Sequence, residues 1–498
     1  MTINKEVVIV GAGVGGIATA VFLARNGYNV NVYEQSDTPG GRCSRHIREG
    51  HRFDLGATIF LMPGIYRKIF DSLGIPFDRS VNAEKLSEIY RLYFTDGTIF
   101  SFTTDREFMK KQLEALEPGS YCHFLKYVKK GCDFYRIALE NLLGRNYYSL
   151  FQFITLKNIR ILFRIKTLTS HMHYVRKFFR HPHLQTAFTF QNIYVGQNPF
   201  TAPALFSMLP AAEISEGSLV VPGGMSSVVE SLLNKANELG VQFHYNSPVR
   251  TIITQRKRAT GIELENGSVV PAGIVVANAD LPYVYRELLQ EKCQAAWLNR
   301  LRYSCSAISF HWALDKQYPE LGLHSVFMSE RYKHNLDKIF KEKTVSDDPS
   351  FYVYCPRELD SSSAPKGQDT ISVVVPVGHL HKKNKAQWEE IRQRVRHGVL
   401  KRLEKQGLTD LASHIKFELS LMPETWEDKY HITKGSVFGS VSHNIFQMGY
   451  FRPHNRHRRI HNLYFAGGCT HPGNGVPLVL MSAALTSERI LKDRSDEK

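Results

Sequence analysis

Three glycines near the start of the chain, in the pattern Gly11-x-Gly13-x-x-Gly16, have the spacing needed to hold a phosphate. Gly11 permits a tight turn, Gly13 lets the backbone approach a pyrophosphate, and Gly16 lets a helix pack closely against a strand. Gly15 lies in the same turn, and Glu34 further along can accept hydrogen bonds from ribose hydroxyls. These residues predict a dinucleotide site.

A strand, a helix and a second strand must position these residues. Val7–Val10 form a continuous apolar run, as expected of a parallel strand that is buried on both faces. Apolar residues recur at helical spacing after the turn until Gly27, and residues 29–34 supply a second strand that ends in Glu34. The N-terminus of the intervening helix offers free N–H groups to the phosphates. This context favours a dinucleotide site over a turn without a ligand.

A second glycine pair indicates which dinucleotide binds. Gly40, Gly41 and Arg42 follow shortly after Glu34. They suit the further phosphate and the ribitol of FAD, whereas NAD has no comparable extended half to hold. Taken alone, Arg42 is also consistent with a solvated arginine, but together with the glycine pair it predicts FAD as the cofactor.

The far end of the chain contains a similar arrangement. Residues 460–466 predict a short buried strand, after which Gly467 and Gly468 let the backbone pass close to a ligand. Gly475 ends the following loop, and Val476 begins a predicted helix with a proline in its first turn. The positive N-terminal end of this helix, placed against a flavin, favours the anionic reduced form. We therefore expect the two ends of the chain to form one domain around the cofactor.

Residues 221–284 supply a third part of that domain. They contain a predicted helix from Met225 to Leu239, a strand that ends near Tyr245, a hairpin and one more apolar strand at 273–280. The pattern predicts an α/β fold: a Rossmann-like FAD-binding domain assembled from non-contiguous segments, with an interleaved α+β domain that binds substrate and membrane. The expected FAD-binding domain comprises residues 1–90, 221–284 and 456–498, and the expected second domain comprises residues 91–220 and 285–455.

With these pieces in place, the chain resembles the carotenoid (phytoene-type) desaturases, a family of FAD-dependent oxidoreductases. Besides the glycines and Glu34, the resemblance is carried by VPGGM at 221–225, YFRPHNR at 450–456 and GGCTHPGNGVP at 467–477, and it spans nearly the whole chain. It implies desaturation of an acyclic carotenoid precursor, phytoene or a C30 diapophytoene-like polyene, by hydride transfer to flavin N5 with loss of a proton. It also places the backbone near Val249 beside the adenine, and it implies quinone or oxygen as the electron acceptor.

Departures from the family pattern keep other reactions open. Cys469 follows Gly468 where many such desaturases have a smaller pair that contains alanine, and Asn474 stands where glycine or alanine is frequent. The resembled scaffold also serves hydroxycarotenoid 3,4-desaturases, terminal carotenoid oxygenases, polyene saturases and amine oxidases. A non-catalytic isoprenoid-binding escort, similar to the guanine-nucleotide dissociation inhibitors, is the alternative from a different class.

The sequence shows no Ser-His-Asp set, paired carboxylates or metal-ligand spacing, and we expect no metal. This agrees with chemistry in which the cofactor carries the hard step and the protein aligns the substrate. The candidates for a catalytic role are His471, His454 and Arg452, which lie in the C-terminal motifs. Alternatively, the histidines position loops or contact the flavin, and Arg452 holds a backbone carbonyl or a cofactor phosphate.

A segment without acidic residues, 141–212, predicts a membrane contact over about 151–180. A helix there carries cations on one face and apolar residues beside them, a pattern typical of membrane-interface helices. The residues concerned are Lys157, Arg160 and Arg164, and Leu156, Ile159 and Phe163. A solvated basic face on an ordinary helix has the same pattern. The formal charge of +16 also suits nucleic acid, but no recognition module accompanies it, so we expect no nucleic-acid partner.

Cysteine usage and hydropathy predict a cytoplasmic protein. The seven cysteines form no CxxC pair and no zinc spacing, which is typical of reduced thiols. Glycines interrupt the apolar residues 7–24, which therefore do not predict a signal peptide. No run reaches the ~18 apolar residues of a membrane-spanning helix. We expect peripheral membrane association at most.

Overall fold

Strands from both ends of the chain belong to one sheet in the structure, a computed structural model that describes residues 5–357, 359–381 and 387–496. Helices and strands are mixed along this length, so the predicted α/β class is confirmed.

The β-strands are, in chain order, β1 (Glu6–Val10), β2 (Asn29–Tyr33), β3 (Arg45–Arg48), β4 (His51–Asp54), β5 (Glu84–Leu86), β6 (Glu88–Tyr93), β7 (Ile99–Thr103), β8 (Ser218–Val220), β9 (Gln242–His244), β10 (Val249–Gln255), β11 (Arg258–Leu264), β12 (Val269–Pro271), β13 (Ile274–Ala277), β14 (Ser306–Leu314), β15 (His324–Phe327), β16 (Phe351–Tyr354), β17 (Asp369–Val377), β18 (Ile415–Leu421) and β19 (Leu463–Phe465). The α-helices are α1 (Val14–Arg25), α2 (Pro63–Ser72), α3 (Phe77–Ser80), α4 (Arg106–Leu116), α5 (Ser120–Ala138), α6 (Leu150–Phe153), α7 (Leu156–Arg164), α8 (His171–Val175), α9 (Pro182–Ala187), α10 (Met208–Glu216), α11 (Met225–Glu238), α12 (Leu281–Tyr283), α13 (Lys292–Asn299), α14 (Tyr332–Asp337), α15 (Trp388–Lys405), α16 (Pro423–Tyr430) and α17 (Val476–Ser495).

Five strands form a parallel sheet in the order β19-β13-β1-β2-β9. The apolar run Val7–Val10 is buried in its centre, as its continuous pattern predicts. Helix α1 packs against both α11 and α17. The sheet thus takes its strands from the two ends of the chain and from the middle, although β19 is shorter than the strand predicted at 460–466.

A second sheet has the order β18-β14-β17-β16-β15-β6-β7. Neighbouring strands are antiparallel except β15 and β6, which are parallel. Residues paired across four of its strands form one row, composed of Ser309, Val374, Tyr352 and Val326. Strand β6 crosses residue 90, where we expected a domain boundary, and the division into domains stays a prediction.

Helices α5 and α10 pack together beside the second sheet. The hydroxyl of Tyr90 on β6 donates to the Glu213 carboxylate on α10 at 2.6 Å and so links helix to strand. The short helices α6 and α7 lie at the surface, where Phe151 and Phe163 are exposed. Within the described residues, none of the helices combines the length and the apolar character that crossing a bilayer requires.

Candidate cofactor and substrate site

The glycine turns from both ends of the chain border one cavity, which has a volume of about 520 Å³. Of the residues predicted to bind the cofactor, all except Gly16 line this cavity: Gly11, Gly13, Gly15, Glu34, Gly40, Gly41, Arg42, Val249, Gly467, Gly468, Gly475 and Val476. The structure therefore brings these residues together, and their individual binding roles stay predictions.

Gly11 and Gly16 hold the N-terminal turn against the end of β13. Gly11 has φ +100°, a conformation that residues with a side chain rarely adopt. A Cβ on Gly16 would lie 2.2 Å from the Gly11 carbonyl oxygen, so a larger residue does not fit there. Asn278, directly after β13, donates from Nδ2 to the Ala466 carbonyl oxygen at 2.9 Å. We did not predict Asn278 as a site residue, although the carboxyl end of a parallel strand is a usual place for a ligand-binding residue.

The carboxylate of Glu34 is buried at the end of β2 and is anchored by backbone groups. Its Oε2 accepts from the Ala12 N–H at 2.8 Å, and its Oε1 accepts from the Ser36 N–H at 2.9 Å. Each carboxylate oxygen has a further lone pair. Because Glu34 also lines the cavity, it can accept ribose hydroxyls while it keeps both backbone partners.

Arg42 reaches from the second glycine pair to the C-terminal part of the chain. Its Nη1 donates to the Val437 carbonyl oxygen at 2.8 Å. Its Nη2 lies 3.4 Å from the place that a Cβ on Gly468 would occupy. Arg42 is only partly exposed, and these contacts exclude the alternative of a fully solvated arginine.

Two helices begin at the cavity wall without a side-chain cap. Helix α1 follows Gly13 and α17 follows Gly475, and neither residue offers a side chain to the first N–H groups. Free N–H groups and the positive end of a helix dipole attract phosphates and electron-rich atoms. Together with the Glu34 carboxylate and the glycines that leave room for a ligand, this donor and acceptor set fits a flavin dinucleotide.

Arg452 is buried, with 1% of its surface exposed, and it holds the C-terminal loop. Its guanidinium donates to five backbone carbonyl oxygens at 2.6–3.3 Å, those of Val441, Ser442, Gln447, Gly468 and Thr470. Burial lowers the pKa of the guanidinium. Arg452 does not line the large cavity, so the structure shows the alternative role, holding backbone carbonyls.

His471 and His454 do not line the large cavity either. The Nε2 of His471 lies 3.0 Å from the Arg145 carbonyl oxygen, and burial lowers the pKa of this imidazole to about 3. His454 packs edge-on against Tyr450, and burial lowers its pKa to about 4. Both rings are thus neutral at neutral pH. Direct proton transfer by either histidine stays a prediction, to which this geometry adds no support.

The polar side chains on the cavity wall that we did not predict as site residues include His443 and Asn474. Their exposed fractions are 5% and 3%. Among the described residues, no hydrogen-bond partner is present for either ring nitrogen of His443 or for the amide oxygen and nitrogen of Asn474. The sequence marks Asn474 by its departure from the family pattern, whereas His443 lies in a loop with no local signal.

Asp280 and Cys469 form a further polar contact on the cavity wall. The Cys469 thiol donates to Asp280 Oδ1 at 2.9 Å, and the Thr433 N–H donates to Oδ2 at 3.1 Å. Burial raises the pKa of the thiol, so Cys469 stays protonated at neutral pH. The cysteine that departs from the family pattern therefore serves as a hydrogen-bond donor to Asp280.

The rest of the cavity is mainly apolar. One wall is the row across the second sheet, in which the hydroxyl of Tyr352 is hydrogen-bonded to Thr58 and His324, each at 2.7 Å. Further lining comes from the segment between α9 and α10 and from the start of α10, and it includes Phe190, Ile193, Leu205, Phe206 and Leu209. Such walls exclude water and complement a hydrocarbon. The dinucleotide half and the apolar half are parts of one cavity.

Comparisons with known proteins agree with this geometry. The model of the family "Flavin containing amine oxidoreductase" matches residues 14–491. The phytoene desaturase of Fusarium fujikuroi is 37% identical over 513 residues, which cover 99% of this chain and 90% of that protein. The ζ-carotene-forming phytoene desaturase of Myxococcus xanthus is 38% identical, over 98% of this chain and 94% of that protein. The 4,4'-diapolycopene oxygenase of a Methylomonas species is 32% identical, over 98% of this chain and 99% of that protein.

Solved structures show the same fold at low sequence identity. An oxidoreductase from Methanosarcina mazei superposes with a TM-score of 0.62 at 14% identity, covering 97% of this chain and 99% of that one. Putrescine oxidase bound to putrescine superposes with a TM-score of 0.61 at 15% identity, covering 98% of this chain and 99% of that one. A RAB GDI from Plasmodium falciparum superposes with a TM-score of 0.56 at 12% identity, covering 98% of each chain. Since oxidases and a GDI share the fold, fold similarity alone does not decide between enzyme and escort.

The match to the family model and the sequence identity to the relatives do decide between an enzyme and a non-catalytic escort. They extend over nearly the whole chain, and they confirm the predicted FAD cofactor and the predicted class of FAD-dependent oxidoreductase. The chain belongs to the flavin-containing amine oxidoreductase family and, within it, to the carotenoid (phytoene-type) desaturases.

Proposed function

We propose that this protein is an FAD-dependent desaturase that introduces C=C bonds into an acyclic carotenoid precursor, phytoene or its C30 counterpart. The observation that carries this proposal is the single cavity in which a dinucleotide site opens onto an apolar chamber. Relatives named phytoene desaturase and 4,4'-diapophytoene desaturase support the same reaction.

The residues at the glycine turns hold the cofactor in this proposal. The N-terminus of α1 after Gly13 takes the pyrophosphate, the carboxylate of Glu34 takes the ribose hydroxyls, and the backbone near Val249 lies beside the adenine. Gly467 and the N-terminus of α17 border the flavin ring. When bound, FAD supplies the chemistry by accepting a hydride from the substrate.

The apolar half of the cavity aligns the substrate and excludes water. The sheet row and the aromatic side chains of the lining give a mainly apolar surface. Such a surface suits a rod-like polyene, which has no polar group to satisfy. Arg452 serves as a positioning residue, because it fixes the carbonyls of the loop that contains Gly468. His454 and His471 remain candidates for a proton-transfer role, one that requires them to reach this chamber.

We further propose that the protein docks on a membrane surface through exposed apolar side chains with cations beside them on α7, here called the docking surface. It is composed of Phe151, Leu156, Ile159, Phe163, Leu168, Phe446 and Phe451, with the cations Lys157, Arg160 and Arg164. Phe151 is 86% exposed and Leu156 77% exposed, which is unusual for side chains of this size. A solvated basic face does not require such exposed aromatic residues.

The docking surface lies next to the cavity along the chain. Phe446 and Phe451 are exposed, whereas Met448 between them lines the cavity. The Phe451 ring packs edge-on against Phe153 of α6, with ring centroids 5.6 Å apart, and so joins the two parts of the surface. A polyene dissolved in lipid would thus have a short route to the chamber. A membrane location also suits quinone as the electron acceptor, with oxygen as the alternative.

A second candidate function is oxidation of a carotenoid end group, on the same site. It is favoured by the 32% identity to a 4,4'-diapolycopene oxygenase over 99% of that protein. Desaturation and end-group oxidation differ in their products, because the second adds oxygen to the pigment.

Expression in cells that accumulate phytoene, followed by chromatography and absorbance of the pigments, tests the proposal. We expect new peaks with more conjugated double bonds and no added oxygen. The purified protein with FAD and phytoene held in liposomes should give the same products. Absence of any gain in conjugation with C40 and C30 precursors would contradict desaturation, and oxygen-containing products would favour the second candidate.

A further inference from the structure

His443 lies where the dinucleotide half of the cavity meets the apolar half. On one side its Nε2 abuts the C-terminal loop, since a Cβ on Gly473 would lie only 2.3 Å from this atom. On the other side its ring meets the ring of Phe206 edge-on, with centroids 6.3 Å apart. His443 therefore borders both the loop beside the cofactor and the chamber for the substrate.

Asn474 lies on the dinucleotide side of the same junction. Its Nδ2 is 2.7 Å from the place that a Cβ on Gly439 would occupy, and its own Cβ is 3.3 Å from the corresponding place on Gly468. The guanidinium of Arg42 also lies beside Gly468. The glycines on both sides make room for the asparagine amide at the cofactor loop.

Both side chains are more than nine-tenths buried and, within the described part of the chain, have no hydrogen-bond partner. Burying polar groups without partners is destabilising, and native proteins almost always satisfy them. Because both residues line the cavity, a ligand is the natural source of partners.

The chemistry of the two expected ligands decides which one supplies these partners. A hydrocarbon polyene has neither hydrogen-bond donors nor acceptors. The flavin ring has both, along its polar edge. Burial and the charge of Arg452 lower the pKa of His443 well below its ordinary value, so its neutral imidazole offers one donor and one acceptor. The Asn474 amide likewise offers both.

We propose that His443 and Asn474 hydrogen-bond to the polar edge of the flavin ring and thereby set the affinity for FAD and its midpoint potential. This inference rests on the FAD binding of the proposed function and adds two cofactor-contacting residues outside the glycine turns. Through its contact with Phe206, His443 also fixes where the flavin ring ends and the substrate chamber begins.

The test compares the full-length protein with His443→Leu, His443→Gln and Asn474→Leu. The dissociation constant of FAD is measured on the apoprotein by quenching of flavin fluorescence, and the visible spectrum and midpoint potential are measured on the reconstituted protein. We expect each leucine variant to bind FAD about tenfold more weakly, the effect of one lost hydrogen bond. If the lost bond favours one redox form tenfold, the potential shifts by about 30 mV. His443→Gln should retain most of the affinity.

His311→Leu is the matched control. His311 is also buried and also has an unpartnered Nε2 within the described residues, but it does not line the cavity. Its substitution should leave FAD affinity, spectrum and potential unchanged. Circular dichroism of the apoproteins verifies folding; if a leucine variant is unfolded, His443→Gln and Asn474→Ala provide the comparison.

The outcomes separate this inference from the proposed function. Wild-type affinity, spectrum and potential in both leucine variants would overturn the inference, and so would a loss confined to substrate binding. Failure of the unsubstituted protein to take up FAD would overturn the proposed function together with the inference. Weaker FAD binding with a shifted spectrum or potential in both leucine variants, but not in His311→Leu, supports it.

Discussion

The dinucleotide half of the cavity and the docking surface are built by opposite means. Behind the wall of the dinucleotide half, the backbone leaves no room for side chains: a Cβ on Gly16 would lie 2.2 Å from a backbone oxygen, and Arg452 holds five carbonyls in place. On the docking surface, side chains carry the property and the backbone is an ordinary short helix, with Phe151 86% exposed. A single substitution should therefore damage fold and cofactor binding together in the cavity, but change only membrane binding at the docking surface.

Removing the guanidinium of Arg452 should have the largest effect and is therefore the strongest test of this difference between the two regions. In Arg452→Met, five buried carbonyl oxygens lose a donor, and only that of Ser442 keeps another in the described residues, Gln447 Nε2. We expect a loss of roughly 4 kcal/mol in the free energy of unfolding, measured by urea denaturation, together with weaker FAD binding. Arg452→Lys should recover part of the loss, because an ammonium retains three donors but not the planar fork.

Arg67→Met is the control, since Arg67 forms an exposed ion pair with Asp78. Its loss should cost less than about 1 kcal/mol. If Arg452→Met keeps its stability and its FAD affinity but loses desaturase activity, the predicted catalytic role of Arg452 replaces the positioning role.

The glycine turn gives the next largest effect. In Gly16→Ala, the added Cβ meets the Gly11 carbonyl oxygen, which belongs to the backbone and cannot move aside. We expect a loss of about 3 kcal/mol in stability and a parallel loss of FAD binding, measured by denaturation and by retained flavin absorbance. Gly398→Ala in α15 is the control: nothing lies within 4 Å, and alanine should stabilise the helix by about 0.5–1 kcal/mol. Equal behaviour of the two variants would contradict the argument.

The glycine turn is also the part of the molecule that its sequence predicts best. Gly11, Gly16 and Glu34 lie within one strand–helix–strand unit, where spacing along the chain fixes spacing in the fold. The same local logic places both ends of α11 to within one residue and the start of α17 at Val476. The parallel sheet followed from the apolar strands, because each had to be buried on both faces.

The partners of Arg452 and the position of His443 could not be predicted in this way. The carbonyls that Arg452 holds belong to two loops, one of which contains Val441 and has only a short 3-10 helix, Ile445–Gln447, and no motif to mark its path. A guanidinium in such a sequence motif suggests catalysis or structure equally well until its surroundings are known. Likewise, β6 joins the second sheet across an expected boundary, since strand pairing between distant segments leaves no trace in local pattern.

Substitution of Glu34 should have an effect of intermediate size, because its side chain rather than its backbone would contact the cofactor. In Glu34→Gln, the amide keeps one acceptor but turns an NH₂ group toward the Ala12 or Ser36 N–H. We expect FAD to bind about tenfold more weakly, or about 1.4 kcal/mol, in fluorescence titrations. Glu107→Gln, in the exposed first turn of α4, should change nothing. Unchanged affinity in Glu34→Gln would mean that another residue holds the ribose.

The docking surface should give the smallest effect, and one confined to membranes. Arg160 on α7 is exposed, and a cation near an anionic leaflet contributes about 1 kcal/mol. Arg160→Gln should thus lower partitioning onto anionic vesicles about fivefold in flotation assays, with unchanged stability and FAD content. The difference should shrink in high salt and vanish on neutral vesicles. Arg250→Gln, at an exposed position of β10 far along the chain, is the control, and an equal loss there would show that overall charge rather than this surface drives binding.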